Sequence, residues 1–429
     1  MSPVLSGNGI LNPKPTLDSP MGQVDNLRRE YNSVMSAKGS AWEVGAAFLK
    51  LGLTSFGGPV AHLGYFRREF VERRRWLDEE HFSQLLALCQ FLPGPASSQL
   101  GFSIGLLRAG WAGAIAAFVA FTSPSVLLLL AFATLSAWLA GPLGQGAIHG
   151  LKLVAVAVVA HAVLGMGRTL TPDRTRLLMA AAAAGAIAFS TGPAMQLGVV
   201  VCGALLGPWL CRGVHARQGE TFPLAYGRST GFALLCVFGV LLLLALFVAP
   251  DLSPLGQVAG AFYRVGALVF GGGHIVLPLL KQAVVDPGWV GNDTFLAGYG
   301  AAQAVPGPMF SLSAFLGYRL QGEQGGFAGA LVGLSSIFLP GLLLVGGALP
   351  FWRALAMRND AARMLAGVNA VVVGMLAYAF YDPVWISAVH DVPDIAIAAG
   401  AFGLLIARWS ALPVVALCVV ASVLRVALG

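Results

Sequence analysis

Four times along this chain an apolar stretch is interrupted by a cluster of glycine and proline, and the four clusters fall into two matching pairs. The interrupted pieces are 42–55 then 59–66, 83–92 then 96–108, 260–270 then 274–280, and 296–304 then 308–320. Glycine frees the backbone and proline removes its N–H donor, so each cluster breaks a helix. The pairs are also in register. Phe56-Gly57-Gly58-Pro59 returns as Phe270-Gly271-Gly272-Gly273. Trp76, Phe82, Gln90 and Pro93-Gly94-Pro95 return 213 residues later as Trp289, Phe295, Gln303 and Pro306-Gly307-Pro308. Gly110-Trp111-Ala112-Gly113-Ala114 returns as Gly326-Phe327-Ala328-Gly329-Ala330, and Pro124 as Pro340, with the offset grown to 216. This is an internal repeat, one fold unit used twice.

Uninterrupted apolar stretches lie near 111–140, 149–167, 177–192, 194–210, 230–249, 326–349, 364–380, 395–407 and 411–428. About 20 such residues cross a bilayer core of ~30 Å, so the shorter stretches, 395–407 above all, require tilts and tight connections. Only 10% of the residues are charged, against ~25% in a soluble globular chain. That excludes an ordinary cytosolic enzyme, a nucleic-acid binder and a disordered chain. The expected fold is an all-α polytopic membrane protein built from two inverted-topology repeats with broken, re-entrant helical hairpins. Residues 1–40 read as a mobile cytoplasmic tail, 41–210 as the first repeat, 211–256 as a linker with a connecting transmembrane helix, and 257–429 as the second repeat. The five cysteines (Cys89, Cys202, Cys211, Cys236, Cys418) are scattered and form no C-x-x-C pair, which suggests apolar packing residues and neither a disulfide framework nor a metal site.

Loop charge sets the orientation of the repeats. The loop after Phe66 carries Arg67, Arg68, Arg73, Arg74 and Arg75, whereas its counterpart carries Lys281, Asp286 and Asp293. The uncharged 137–148 loop matches one with Arg353, Arg358 and Arg363, and Arg168, Arg174 and Arg176 match Asp382, Asp391 and Asp394. Cytoplasmic loops are enriched in Lys and Arg, so each pair of equivalent loops is expected on opposite sides of the membrane. Five full spans between the copies, an odd number, give that inversion; Arg319 on the outer side is a mild misfit. The same rule accounts for the excess of 26 Lys and Arg over 19 Asp and Glu without an acidic macromolecular partner.

Irregular backbone at membrane depth survives only where it is buried in protein or lines a wet cavity, so matched breaks in two inverted halves point to a substrate site. Pro93-Gly94-Pro95 is followed by Ala96-Ser97-Ser98-Gln99, and Pro306-Gly307-Pro308 by Ser311 and Ser313. A helix start offers unpaired N–H groups and partial positive charge, and serine hydroxyls add donors. Two such starts facing each other would cradle a small anion with no metal or cofactor. The alternative is a pair of packed kinks. Gly57, Gly58, Pro59, Gly271, Gly272 and Gly273 serve either close packing or ligand contact. Gln90 and Gln303 lie three residues before the breaks and either meet the substrate or tie the hairpins. His62 and His274 follow the glycine clusters and are candidates for proton coupling or plain structural hydrogen bonding; His161 has no matching partner. Lys152, opposite Asn369 in the second copy, either snorkels to the interface or faces the anion path. The Arg67–Arg75 run with Trp76 reads as a topology anchor or as an electrostatic funnel for oxyanions. No nucleophile elbow, H-E-x-x-H or paired intramembrane carboxylates occur, so no enzyme is expected.

These motifs resemble the chromate ion transporter family. The matching elements are Phe56-Gly57-Gly58-Pro59 with His62, Arg73-Arg74-Arg75-Trp76-Leu77, Leu92 through Gln99, and Arg108-Ala109-Gly110-Trp111. In the second copy they are Phe270 through Gly273, Leu277-Pro278-Leu279, Gln303 through Pro308, and Phe315-Leu316-Gly317-Tyr318. The resemblance covers roughly residues 42–428 and the long-chain, two-domain type. It implies proton-driven export of chromate from the cytoplasm across the bacterial inner membrane, giving resistance. A passive anion channel, or a carrier of sulfate or another oxyanion, is the alternative. Protons and lipid are the other expected partners, nucleic acid is not, and a homodimer is compatible with the pattern.

Overall fold

A computed structural model of the chain describes residues 39–56, 58–135, 141–190, 193–215, 222, 224–249, 252–270 and 276–428. Almost the whole expected N-terminal tail, together with Gly57, Gly271, Gly272, Gly273 and His274, lies outside the described residues. The described residues form helices and no strand. Six of the helices are long and apolar enough to cross a membrane, and the protein is an all-α, multi-pass membrane protein.

The first half contains α1 (Ala41–Thr54), α2 (Gly58–Arg67), α3 (Glu79–Phe91), α4 (Ala96–Leu135), α5 (Pro142–Leu170), α6 (Arg174–Phe189) and α7 (Pro193–Leu210). A connecting helix, α8 (Arg228–Phe247), leads to the second half. That half runs through α9 (Pro254–Leu268), α10 (Val276–Leu280), α11 (Asn292–Ala304), α12 (Leu312–Arg319), α13 (Gly326–Ala348), α14 (Asn359–Ala379), α15 (Val392–Ile406) and α16 (Ala411–Leu428). Each expected break is present. The chain leaves the helix after Thr54, after Phe91, after Leu268 and after Ala304. α4 bends at Ala109–Gly110, where Gly110 has φ +64°, which divides it into a short arm, 96–108, and a long one, 111–135. Local signals repeat as well. Asp173 caps α6 by accepting from the Arg176 amide, and its counterpart Asp391 caps α15 by accepting from the Asp394 amide.

The halves are interlaced. α6 and α7 pack on α14 of the second half, while α15 and α16 pack on α5 of the first. Small residues permit this approach without a hydrophobic drive between helices in lipid. Gly203 and Gly207 of α7 lie against Gly367 and Arg363 of α14, and Gly146 and Gly150 of α5 lie against Ser422 and Val419 of α16. The equivalent helices α4 (its long arm) and α13 meet with opposite chain directions. The ring of Trp111 lies by Gly346, whereas Phe118, further along α4, meets Phe338, earlier in α13, with centroids 5.0 Å apart.

The two hairpins α3–α4 and α11–α12 are equivalent in sequence but not in setting. In α11 every residue from Phe295 to Gln303 is buried, and Gly300 is pressed against the Leu151 backbone of α5. In α3 the face bearing Ser83 and Gln90 is exposed, because α3 barely touches α14, the counterpart of α5.

Candidate functional site

The site is built where the breaks of one half meet the other. Gly94, at the centre of the first Pro-Gly-Pro, donates its amide to the carbonyl of Val269, just ahead of the second glycine cluster, at 2.7 Å. Gly307, at the centre of the second Pro-Gly-Pro, donates to the carbonyl of Ser55, just ahead of the first glycine cluster, at 3.1 Å. The two bonds are equivalents of one another under the repeat. Both glycines have positive φ, +122° and +99°, which L side chains reach only with strain.

Each Pro-Gly-Pro also rests on the proline-containing helix of the opposite half. Gly94 lies by Gly341, next to Pro340, and Gly307 lies by Ser125, next to Pro124. Gln99 clamps the first seam: its Nε2 donates to the carbonyls of Pro93 at 2.9 Å and of Gly341 at 3.0 Å. A hydroxyl pair clamps the second, with Ser125 Oγ and Ser311 Oγ 2.6 Å apart. His62 lies buried against Phe121, centroids 5.3 Å apart, and its Nε2 donates to the same Ser55 carbonyl at 3.2 Å.

Polar atoms without a protein partner gather at these seams. Ser55 Oγ, His62 Nδ1, Ser98 Oγ, Gln99 Oε1 and Thr122 Oγ1 are buried and unpaired. Buried polar groups are ordinarily satisfied, so orphan hydroxyls beside a helix start mark a place prepared for something that hydrogen-bonds. The backbone adds to it, because the first amides of α4, at Ala96, Ser97 and Ser98, have no intrahelical carbonyl within reach. Hydroxyls, amide N–H groups and a helix start suit a small oxyanion.

The expected residues sort as follows. Pro93, Gly94, Pro95, Ala96, Ser97, Ser98 and Gln99 belong to the first seam, and Pro306, Gly307, Pro308 and Ser311 to the second. Gly58 and Pro59 begin α2. Ser313 satisfies itself by donating to the Phe310 carbonyl at 2.8 Å, and Gln303 Nε2 donates to Met309 Sδ at 3.0 Å, so both are engaged within their own hairpin. Gln90 is exposed, on the uncovered face of α3. The Nζ of Lys152 is 2.5 Å from Asp293 Oδ1, an exposed carboxylate, and the pair joins α5 to α11. Ser55, Thr122 and Ser125 were not anticipated. The available signal was the hydroxyl-rich Thr122-Ser123-Pro124-Ser125 around a proline that recurs in the second copy.

The arginine-rich run is largely engaged in internal pairs. Arg67 pairs with Glu72 and Glu79, and Arg73 and Arg74 pair with Glu69. Burial works against the charge on Glu69, but hydrogen bonds from Arg74 and Arg73 prevail and hold its carboxyl below the usual range. Trp76 is buried, with the guanidinium carbons of Arg74 and Arg108 each 5.2 Å from a ring centroid. Elsewhere, His149, His390 and Asp394 bring three ligand-type atoms within 4.8 Å of one another. Arg425 Nη1 already lies 2.8 Å from Asp394 Oδ1, and a guanidinium there repels a metal cation, so the cluster serves as an ionic tie between α5, α15 and α16.

Comparison with known proteins agrees with this architecture. The family profile described as "Chromate transporter" matches residues 42–208 and again 256–424. A probable chromate transport protein of Synechococcus elongatus is 29% identical over 356 residues, covering 81% of this chain and 85% of that protein. The chromate transport protein of Pseudomonas aeruginosa is 28% identical over 376 residues, 83% and 84% of the two chains. That of Cupriavidus metallidurans is 27% identical over 331 residues, 77% and 79%. No solved structure matches the chain.

Proposed function

Because the chain belongs to the chromate transporter family, we propose that it is a secondary transporter carrying chromate out of the cytoplasm across a bacterial inner membrane. Export is driven by the proton gradient and confers chromate resistance. The observation that carries this reading is the reciprocal pair of seams, Gly94 on Val269 and Gly307 on Ser55, lined by buried donors without partners. Chromate is a tetrahedral oxyanion, and hydroxyls with helix-start amides can replace its hydration shell without a metal.

The inverted arrangement is supported by the opposed loop charges and by the opposite courses of the long arm of α4 and of α13. A two-fold axis perpendicular to two equivalent spans makes them antiparallel, and such an axis lies in the membrane plane. The arginine-rich 67–75 run then faces the cytoplasm. His62 is the candidate proton carrier. Its Nε2–H is fixed by the Ser55 carbonyl, while Nδ1 has no partner and becomes a donor on protonation.

Chromate uptake into everted vesicles tests the reading. Saturable uptake that requires a pH gradient and falls with excess sulfate is expected. Large voltage-dependent currents without saturation would mean a passive anion channel, and sulfate flux without chromate flux a different oxyanion carrier.

A further inference from the structure

The first seam contains an acceptor that a bare oxyanion cannot satisfy. Gln99 is fully buried. Both donors of its amide are used, on the Pro93 and Gly341 carbonyls, which fixes the amide's orientation, because the flipped form would set its oxygen against two carbonyl oxygens. Its Oε1 therefore faces away from both, and no donor among the described residues reaches it. Ser98, the preceding residue in the same first turn of α4, holds a buried hydroxyl with no partner. Ser98 thus adds an unpaired donor to the same helix start that carries the fixed acceptor.

A fully deprotonated tetrahedral anion pairs with the donors but leaves Gln99 Oε1 stranded and repels it. A monoprotonated oxyanion satisfies both, its O–H donating to Oε1 and its remaining oxygens accepting from Ser98 and the helix-start amides. Chromate loses its second proton near neutrality, whereas sulfate loses its own far below. We infer that Gln99 selects the hydrogen-chromate monoanion, and that this acceptor is what distinguishes chromate from sulfate. The inference rests on the transport reading above and specifies its substrate form.

Titration of the protein is the competing source of pH dependence. The buried titratable groups on the helices packed against α4 are His62 on α2, Cys89 on α3 and Tyr299 on α11. The charged or titratable groups Glu43 and Lys50 on α1, Tyr65 and Arg67 on α2, Glu79, Glu80 and His81 on α3, Asp293 on α11, and Tyr318 and Arg319 on α12 are not buried. Protonation of His62 would strengthen the binding of any oxyanion, sulfate included, while selection by Gln99 affects only a ligand that itself takes up a proton.

The test is chromate binding to the purified full-length protein in nanodiscs, across about two pH units above neutrality, with sulfate as competitor. Half-saturating total chromate should rise roughly tenfold per pH unit as the monoanion is depleted, while weak sulfate competition stays constant. Gln99→Leu should weaken chromate binding by about ten- to a hundredfold and bring the chromate and sulfate affinities together. A half-saturation that is flat in pH, as when the dianion binds or a trapped water serves Oε1, would overturn the inference. So would sulfate competition that strengthens in parallel with chromate binding on acidification. If Gln99→Leu does not fold, the wild-type pair of pH profiles decides the matter alone. Absence of saturable chromate binding at every pH would remove the transport reading, and this inference with it.

Discussion

The Ser55 carbonyl accepts from His62 of its own half and from Gly307 of the other, so one backbone oxygen holds both a local turn and the seam between halves. Its counterpart depends on Gly94. A Cβ there would sit 2.9 Å from the Gly341 Cα, at a φ of +122°. Gly94→Ala should cost about 1–3 kcal/mol in strain and abolish transport, visible as a lower melting temperature in detergent and loss of chromate uptake. Gly64→Ala is the control. Nothing lies within 4 Å of a Cβ at that helical position, and stability should be unchanged or slightly raised. Ser98→Ala should leave the melting temperature nearly unchanged, since the hydroxyl has no protein partner, yet raise half-saturating chromate about tenfold; unaltered kinetics would remove Ser98 from the site. Glu69 behaves differently, because its ionised form is the bonded one. Its carboxyl is held below the ordinary range, so its contribution is complete above that range and is lost as pH falls through the depressed folded value. Glu69→Gln should lower the melting temperature at neutral pH, with the difference from wild type shrinking in acid.

At the scale of helices, the two Pro-Gly-Pro hairpins share a sequence pattern but occupy different positions. α11 is sealed against α5 by Gly300 and by the Lys152–Asp293 pair. The positions equivalent to that pair are Asn369, whose Oδ1 is buried without a partner, and Glu80, which is exposed. The exposed face of α3 carries the polar side chains of Ser83 and Gln90. In a background without the exposed Cys202 and Cys236, Ser83→Cys should react readily with a water-soluble thiol reagent, and the equivalent Leu296→Cys should not. Adding Asp293→Asn should make Leu296→Cys reactive; equal reactivity of the two cysteines in the unmodified pair background would contradict the difference described. The sequence is a sound guide to the helices and their breaks, because glycine and proline act locally through backbone sterics. It cannot reveal that α11 is closed and α3 open, since both share the Trp, Phe, Gln and Pro-Gly-Pro signature and differ only in distant neighbours. For the same reason Lys152 is legible as an intramembrane cation, but its partner, 141 residues away, is not.

On the scale of the molecule, the seams were half legible. The repeat locates Pro93-Gly94-Pro95 and Pro306-Gly307-Pro308, and their use of the carbonyl ahead of the other half's glycine cluster follows only from how the halves interlace. That interlacing is extensive, with the terminal helix pair of each half lying on the central helix of the other. Fragments divided in the 211–227 connection should be unstable when made singly and should restore chromate uptake when produced together; activity from either fragment as a monomer would refute the shared seam. The glycine amide of each Pro-Gly-Pro is answered by a carbonyl of the other half, so neither fragment could finish its own cradle. Drift in one copy must therefore be matched in the other, and the duplication persists here as mutual dependence, with no spare part left over.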